Sequence, residues 1–209
     1  MERIDLEGWE RRDYFEFYLD ADFPYINIGA NVDVTGLLAF AHRHGLSSYL
    51  TLIHTAHQTA DGIVNFRYRI KDREPVMNER LAVYFTHLPR DRELFINVLV
   101  DDPGDVFEFQ ERAQAQIERQ GTDLGLAALK GRLDIIGYSA VPWVQYTHFV
   151  RTIRKLGVDS NPKISWGKYF TQGERTLVPF SVQVHHALMD GLQVGRYFEE
   201  LQRRLDLLQ

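Results

Sequence analysis

SVQVHHALMDGLQVGRYF, residues 181–198, holds the end of a strand, a short turn and the opening of a helix in one continuous run. Side chains alternate across a strand, so Phe180, Val182, Val184 and His186 share one face, and Ser181, Gln183 and His185 share the other. His186 therefore ends an apolar row at the point where the strand stops. An uncharged imidazole with a free lone pair is the form a general base needs. Asp190 and Gly191 turn the chain into the last helix, where Asp190 suits the N-cap and its charge suits the positive helix end. The bare spacing H-x-x-x-D is common, and it fits a satisfied core histidine followed by a capping aspartate as well as it fits a catalytic pair. A metal site fits poorly, because adjacent His185 and His186 point to opposite faces.

The helix after this turn is amphipathic. Val194, Tyr197, Phe198, Leu201, Leu205 and Leu208 recur at helical spacing, and Glu199/Arg203 and Glu200/Arg204 form i,i+4 pairs. Helices are also expected through LLAFAHRH (37–44, capped by Thr35), YLTLIHTAHQTAD (49–61, capped by Ser48) and DVFEFQERAQAQIER (105–119, closed by Gly121). His54 and His57 in the second of these read as a polar helix face. Strand-like segments fill the gaps: residues 26–34, a charged hairpin over 66–79, LAVYFTHL (81–88), LFINVLVD (94–101), IIGYSAVPWVQY (135–146, interrupted by Pro142), KISWGKYF (163–170) and RTLVPFSVQVHH (175–186). Long strands with a few interspersed helices give an α/β or α+β two-layer sandwich, one sheet against helices.

Composition narrows the function. The chain has 209 residues, the size of one domain, so 1–209 is expected to form a single unit. It contains no cysteine, which removes thiolate nucleophiles and Cys-type zinc sites. The net charge of −5, with Lys and Arg scattered, offers no footprint for nucleic acid. No run is long enough to span a bilayer, and MERIDLEGWERRDYF (1–15) lacks the apolar core of a signal peptide. A cytoplasmic, small-molecule role is the expectation.

Four collinear blocks add to this reading. VPFSVQVHHALMDGLQVGRYFEEL (178–201) resembles the HHAxxDG-helix signature of the chloramphenicol acetyltransferases. GWERRDYFEFY (8–18) resembles their W-x-R-R/K-E-H-F-E-F-Y block, YSAVPWVQYTHF (138–149) their S-A-x-P-W-V strand, and GKYFTQGERTLVPF (167–180) their K-Y-x-x-x-G-D-x-L-x-P-L hairpin. The resemblance implies a mixed β-sheet flanked by helices, and a homotrimer with active sites between subunits. It implies acetyl-CoA as co-substrate, with no metal and no tightly bound cofactor, and a small-molecule hydroxyl as acceptor, chloramphenicol foremost. His186 takes the place of the base, and Asp190 and Arg11 that of a structural ion pair. Ser139 takes the place of the serine that stabilises the tetrahedral intermediate. Trp143, Lys168 and Tyr169 fall where CoA is contacted, and Tyr18, Phe95 and Ser165 where the acceptor sits.

The residue types suit that chemistry: a thioester is already activated, an alcohol needs a base as it attacks, and the oxyanion needs a donor. The acceptor side departs from the family pattern. Met189 stands for a cysteine, Ser165 for a threonine and His148 for a small polar residue. FTHLPRDRELFIN (85–97) replaces F-H-x-E-T-E-T-F-S, and LDADFPYIN (19–27) differs as well. Two other readings compete. An acyltransferase core of a 2-oxo acid dehydrogenase complex shares H-x-x-x-D-G but is expected to carry a lipoyl domain and linker. A non-catalytic trimeric binder of a hydrophobic ligand would not need His186, Asp190, Arg11 and Ser139 together.

Overall fold

A computed structural model describes residues 1–154 and 158–208. In chain order the elements are β1 (Glu2–Arg3), α1 (Arg12–Leu19), β2 (Tyr25–Asp33), α2 (Thr35–His44), α3 (Ser48–Asp61), β3 (Tyr68–Lys71), β4 (Glu74–Met77), β5 (Ala82–His87), β6 (Ile96–Val100), α4 (Val106–Gln120), β7 (Ile135–Ala140), β8 (Lys163–Trp166), β9 (Phe170–Gln172), β10 (Arg175–His185) and α5 (Gly191–Asp206).

The main sheet runs β2-β10-β8-β7-β5-β6, with β9 also paired to β10. The β5–β7 and β7–β8 pairs are parallel and the rest antiparallel, so the sheet is mixed, as expected. Strand β10 organises it. Phe180, Val182 and Val184 point into one continuous core with Ile164 and Trp166 of β8, Ile136 and Tyr138 of β7, and Val194, Tyr197, Leu201 and Leu205 of α5. Helices α2, α3 and α4 contribute Leu37, Leu52, Ile53, Ala56 and Phe109 to the same layer. The opposite face is crossed by the chain after β7. Asn27 Nδ2 donates to Phe149 O at 2.8 Å, Arg151 N to Gln183 Oε1 at 2.8 Å, and the Arg151 guanidinium to Gly137 O and Tyr84 Oη. Gly137 admits this arrangement, because a Cβ there would run into the Tyr84 ring.

A second sheet, β1-β4-β3, lies outside the single sheet expected from the sequence. Its hairpin turn puts Asp72 and Arg73 at φ 51° and 65°, the left-handed geometry of a tight two-residue turn. With α1 it builds a small separate core around Phe15, Ile70, Ala187 and Leu188, directly beneath the turn that carries His186.

Several local expectations shift. Ser47, not Ser48, caps α3 by accepting from Leu50 N, and Thr35 is the first residue of α2 rather than its cap. The strand expected over 135–146 stops at Ala140, ahead of Pro142. KISWGKYF splits into β8 and β9 around Gly167. That gap accommodates Pro179, which lies between the residues of β10 paired to β9 and those paired to β8, where a missing N–H breaks no ladder bond. Glu200 pairs with both Arg203 and Arg204, whereas no Glu199–Arg203 pair forms. His57 is not on a polar face. It is 1 % exposed, bonded to Tyr138 Oη and Leu81 O, and its desolvation pushes its pKa down to about 4.

Candidate active site

Strand β10 ends at His185, and residues 186–190 form the turn into α5. Four successive carbonyls of that turn are held by side chains, three of them from elsewhere in the chain and the fourth from the turn itself. Arg11 Nη2 donates to His186 O at 2.6 Å and Arg11 Nε to Ala187 O at 2.8 Å. Asn65 Nδ2 takes Leu188 O at 3.0 Å, and His186 Nδ1 reaches Met189 O at 3.1 Å. Arg11 also grips the Asp190 carboxylate bidentately, at 2.7 and 2.6 Å. Its bonds hold the Asp190 carboxyl below the usual carboxylate range. The arginine side chain is only 10 % exposed and the aspartate 40 %, so the pair is half-buried rather than sealed in the core. Asp190 sits at the N-cap of α5, where its N–H is capped in turn by Gln193 Oε1.

This clamp fixes the imidazole. Both neighbours of His186 Nδ1, the Met189 carbonyl and the Asp190 carboxylate at 3.2 Å, are acceptors. In the neutral ring the proton therefore resides on Nδ1, and Nε2 keeps its lone pair. Tyr18 stacks on the ring with centroids 4.0 Å apart, which sets its orientation from the other side.

A second group of residues gathers elsewhere. At the ends of β5, β7 and β8, beside the start of α3, lies a cleft of about 840 Å³. Ser139, Phe95, Trp143, Lys168 and Tyr169 all line it. Trp143 is 69 % exposed and Phe95 54 %, large rings presented to a ligand or to another chain. Ser165 does not line the cleft. It is buried in the row Ser139–Ser165–Ser181 across three strands, and its hydroxyl has no hydrogen-bond partner among the described residues.

Three further residues of this cleft carry no signal in the sequence. Thr86 Oγ1 lies 3.0 Å from Ser139 Oγ, Tyr49 Oη donates to Thr86 O at 2.7 Å, and His87 carries a pKa lowered by burial. Thr86 and His87 fall in the stretch that departs from the family pattern, so no motif pointed to them.

The two groups are separate within one chain. Ser139 aligns with Ser181 through Ser165, whereas His186 follows Ser181 by five residues. The offset is roughly 16 Å along the strand and about 10 Å across it.

The family model described as chloramphenicol acetyltransferase matches residues 1–202. The chain belongs to the chloramphenicol acetyltransferase family. It is 31 % identical to the chloramphenicol acetyltransferase of Clostridium perfringens, over 95 % of this chain and 92 % of that one. A solved chloramphenicol acetyltransferase has the same fold, with a TM-score of 0.89 at 23 % identity over 98 % of this chain and 100 % of the other. The cubic core of a pyruvate dehydrogenase multienzyme complex is a more distant match in fold, with a TM-score of 0.66 at 17 % identity over 92 % and 85 %. As a member of the chloramphenicol acetyltransferase family the chain is an acyltransferase, and acetyl-CoA is the acyl donor of that family. Among the described residues no helix is long and apolar enough to cross a membrane.

Proposed function

We propose that this chain transfers the acetyl group of acetyl-CoA to a hydroxyl of chloramphenicol, in the cytoplasm, with His186 as general base. The observation that carries the proposal is the fixed imidazole: Nδ1 is tied to Met189 O, which leaves Nε2 free to take a proton. The acceptor hydroxyl gives its proton to Nε2 as its oxygen attacks the thioester carbonyl. The resulting oxyanion is held by the Ser139 hydroxyl. Collapse of the intermediate breaks the C–S bond, and the CoA thiolate recovers the proton from Nε2. Arg11 and Asp190 hold the turn. Trp143, Lys168 and Tyr169 contact CoA, while Tyr18 and Phe95 shape the acceptor side. CoA is a co-substrate in this reading, and no cofactor stays bound between turnovers.

The distance between His186 and Ser139 within one chain supports a homotrimer in which His186 of one subunit faces the Ser139 cleft of the next. Exposed Trp143 and Phe95 fit the same arrangement.

The test is thiol release from acetyl-CoA with chloramphenicol and a panel of other alcohols. His186→Ala is expected to lower kcat by about 10²–10⁴-fold with CoA binding retained. A mutant that keeps more than about a tenth of wild-type turnover removes His186 from the role of base. Thiol release that responds to other alcohols and not to chloramphenicol replaces the acceptor.

A further inference from the structure

The Ser139 hydroxyl has a single hydrogen-bond partner among the described residues, and that partner is another hydroxyl. Thr86 on β5 places Oγ1 3.0 Å from Ser139 Oγ on the neighbouring parallel strand β7. Thr86 is itself well fixed. Its carbonyl accepts from Tyr49 Oη at 2.7 Å, its β-branched side chain is stiff at χ1, and the preceding Phe85 is fully buried. A serine hydroxyl has one proton and two lone pairs, so in this pair one oxygen donates and the other accepts. If Ser139 donated to Thr86, only lone pairs would face the cleft, and these repel an oxyanion. If Thr86 donates, the Ser139 proton is directed into the cleft.

We propose that Thr86 is a positioning residue for the transfer step: its hydroxyl donates to Ser139 Oγ, and this orients the Ser139 proton toward the oxyanion. The proposal rests on Ser139 as oxyanion donor. A bond received on the serine oxygen also polarises its O–H, so the pair acts as a short chain that strengthens the terminal donor. Thr86 contributes nothing to ground-state binding through this bond, because the thioester carbonyl carries little charge before attack.

The experiment is a double-mutant cycle on the full chain, read as kcat and KM for both substrates. Thr86→Val preserves shape and removes the donor. It is expected to lower kcat by about 2- to 10-fold, the weight of one neutral hydrogen bond, with both KM values little changed. Thr86→Ser restores the hydroxyl and should recover most of the rate. In a Ser139→Ala background, Thr86→Val should lower kcat no further, because nothing remains to be oriented. Should Thr86→Val fold poorly by melting temperature, Thr86→Ala carries the same cycle. Wild-type kcat in Thr86→Val, with Ser139→Ala slow, overturns this proposal and leaves the oxyanion role of Ser139 standing. An equal loss from Thr86→Val with and without Ser139 also overturns it, since the residue would then act through cleft shape. Wild-type kcat in Ser139→Ala overturns the oxyanion role and the Thr86 proposal together.

Discussion

Arg11→Met keeps the aliphatic bulk of a side chain that is only 10 % exposed and removes its donors. Two backbone carbonyls, His186 O and Ala187 O, then lose their partners. Each costs about 1 kcal/mol or more when left unsatisfied in a half-buried turn. The ion pair adds less than ~1 kcal/mol, because the Asp190 carboxylate is 40 % exposed and solvent screens it. The sum is roughly 3 kcal/mol, which for a chain of this size lowers Tm by about 6–12 °C. Asp190→Asn removes less. Arg11 keeps both carbonyls, and the amide oxygen still accepts one bond, so the loss should be about 1 kcal/mol. Thermal unfolding of the two single variants and the double variant reads all three values, and turnover is measured on the same samples. Arg11→Met should be clearly the worse single change, its activity loss should follow the slackened turn, and the double variant should be less damaged than the sum. If Asp190→Asn is as harmful as Arg11→Met, or if the two losses add strictly, the clamp on the turn is not what Arg11 provides.

Ser139→Ala is expected to reduce kcat by roughly 10²-fold with KM values little moved, as when one oxyanion donor is lost; normal kcat with raised KM would make the serine a binding group. Sedimentation should give a trimer of the 24.4 kDa chain, and an active monomer rules out shared sites. Mixing His186→Ala and Ser139→Ala chains, each strongly impaired alone, should raise activity above that of either by pairing intact halves across interfaces. His57 titrates at about 4 when folded and near 6.5 when unfolded, so the unfolded chain binds more protons between those values. Stability present above pH 6.5 should fall by roughly 3 kcal/mol as pH drops toward 4, and His57→Asn should flatten that slope in pH-dependent melting curves.

The His186 turn was legible because strand alternation and helix capping are local, and both act within a few residues of the motif. Ser139 was legible only through the family blocks, since a strand serine has no local signature. The chain from Tyr49 through Thr86 to Ser139 was not legible at all, because it joins a helix and two strands that are adjacent only once the sheet forms. His57 was misread for a related reason. Its spacing to His54 suggests one polar face, but α3 is packed between the sheet, α4 and α5, so nearly all of its sides are interior. The break at Gly167 has no local signature because the apolar pattern runs through it, while the gap faces Pro179 on the neighbouring strand.

Strand β10 lies next to β2 on one side and β8 on the other, yet of the strands in this sheet it comes last in the sequence and so is made last. Until it emerges, β2 has no sheet partner, β8 presents an open edge, and Arg11 waits for contacts 175 to 179 positions downstream. Such distant pairings close slowly, and unpaired edges invite pairing with other chains in the meantime. Synthesis is therefore the vulnerable period of this molecule's life. Any stop before residue 175 leaves a chain without the strand that joins β2 to β8, prone to aggregate, whereas a chain that runs through residue 190 assembles its sheet and its reactive turn in the same closing event.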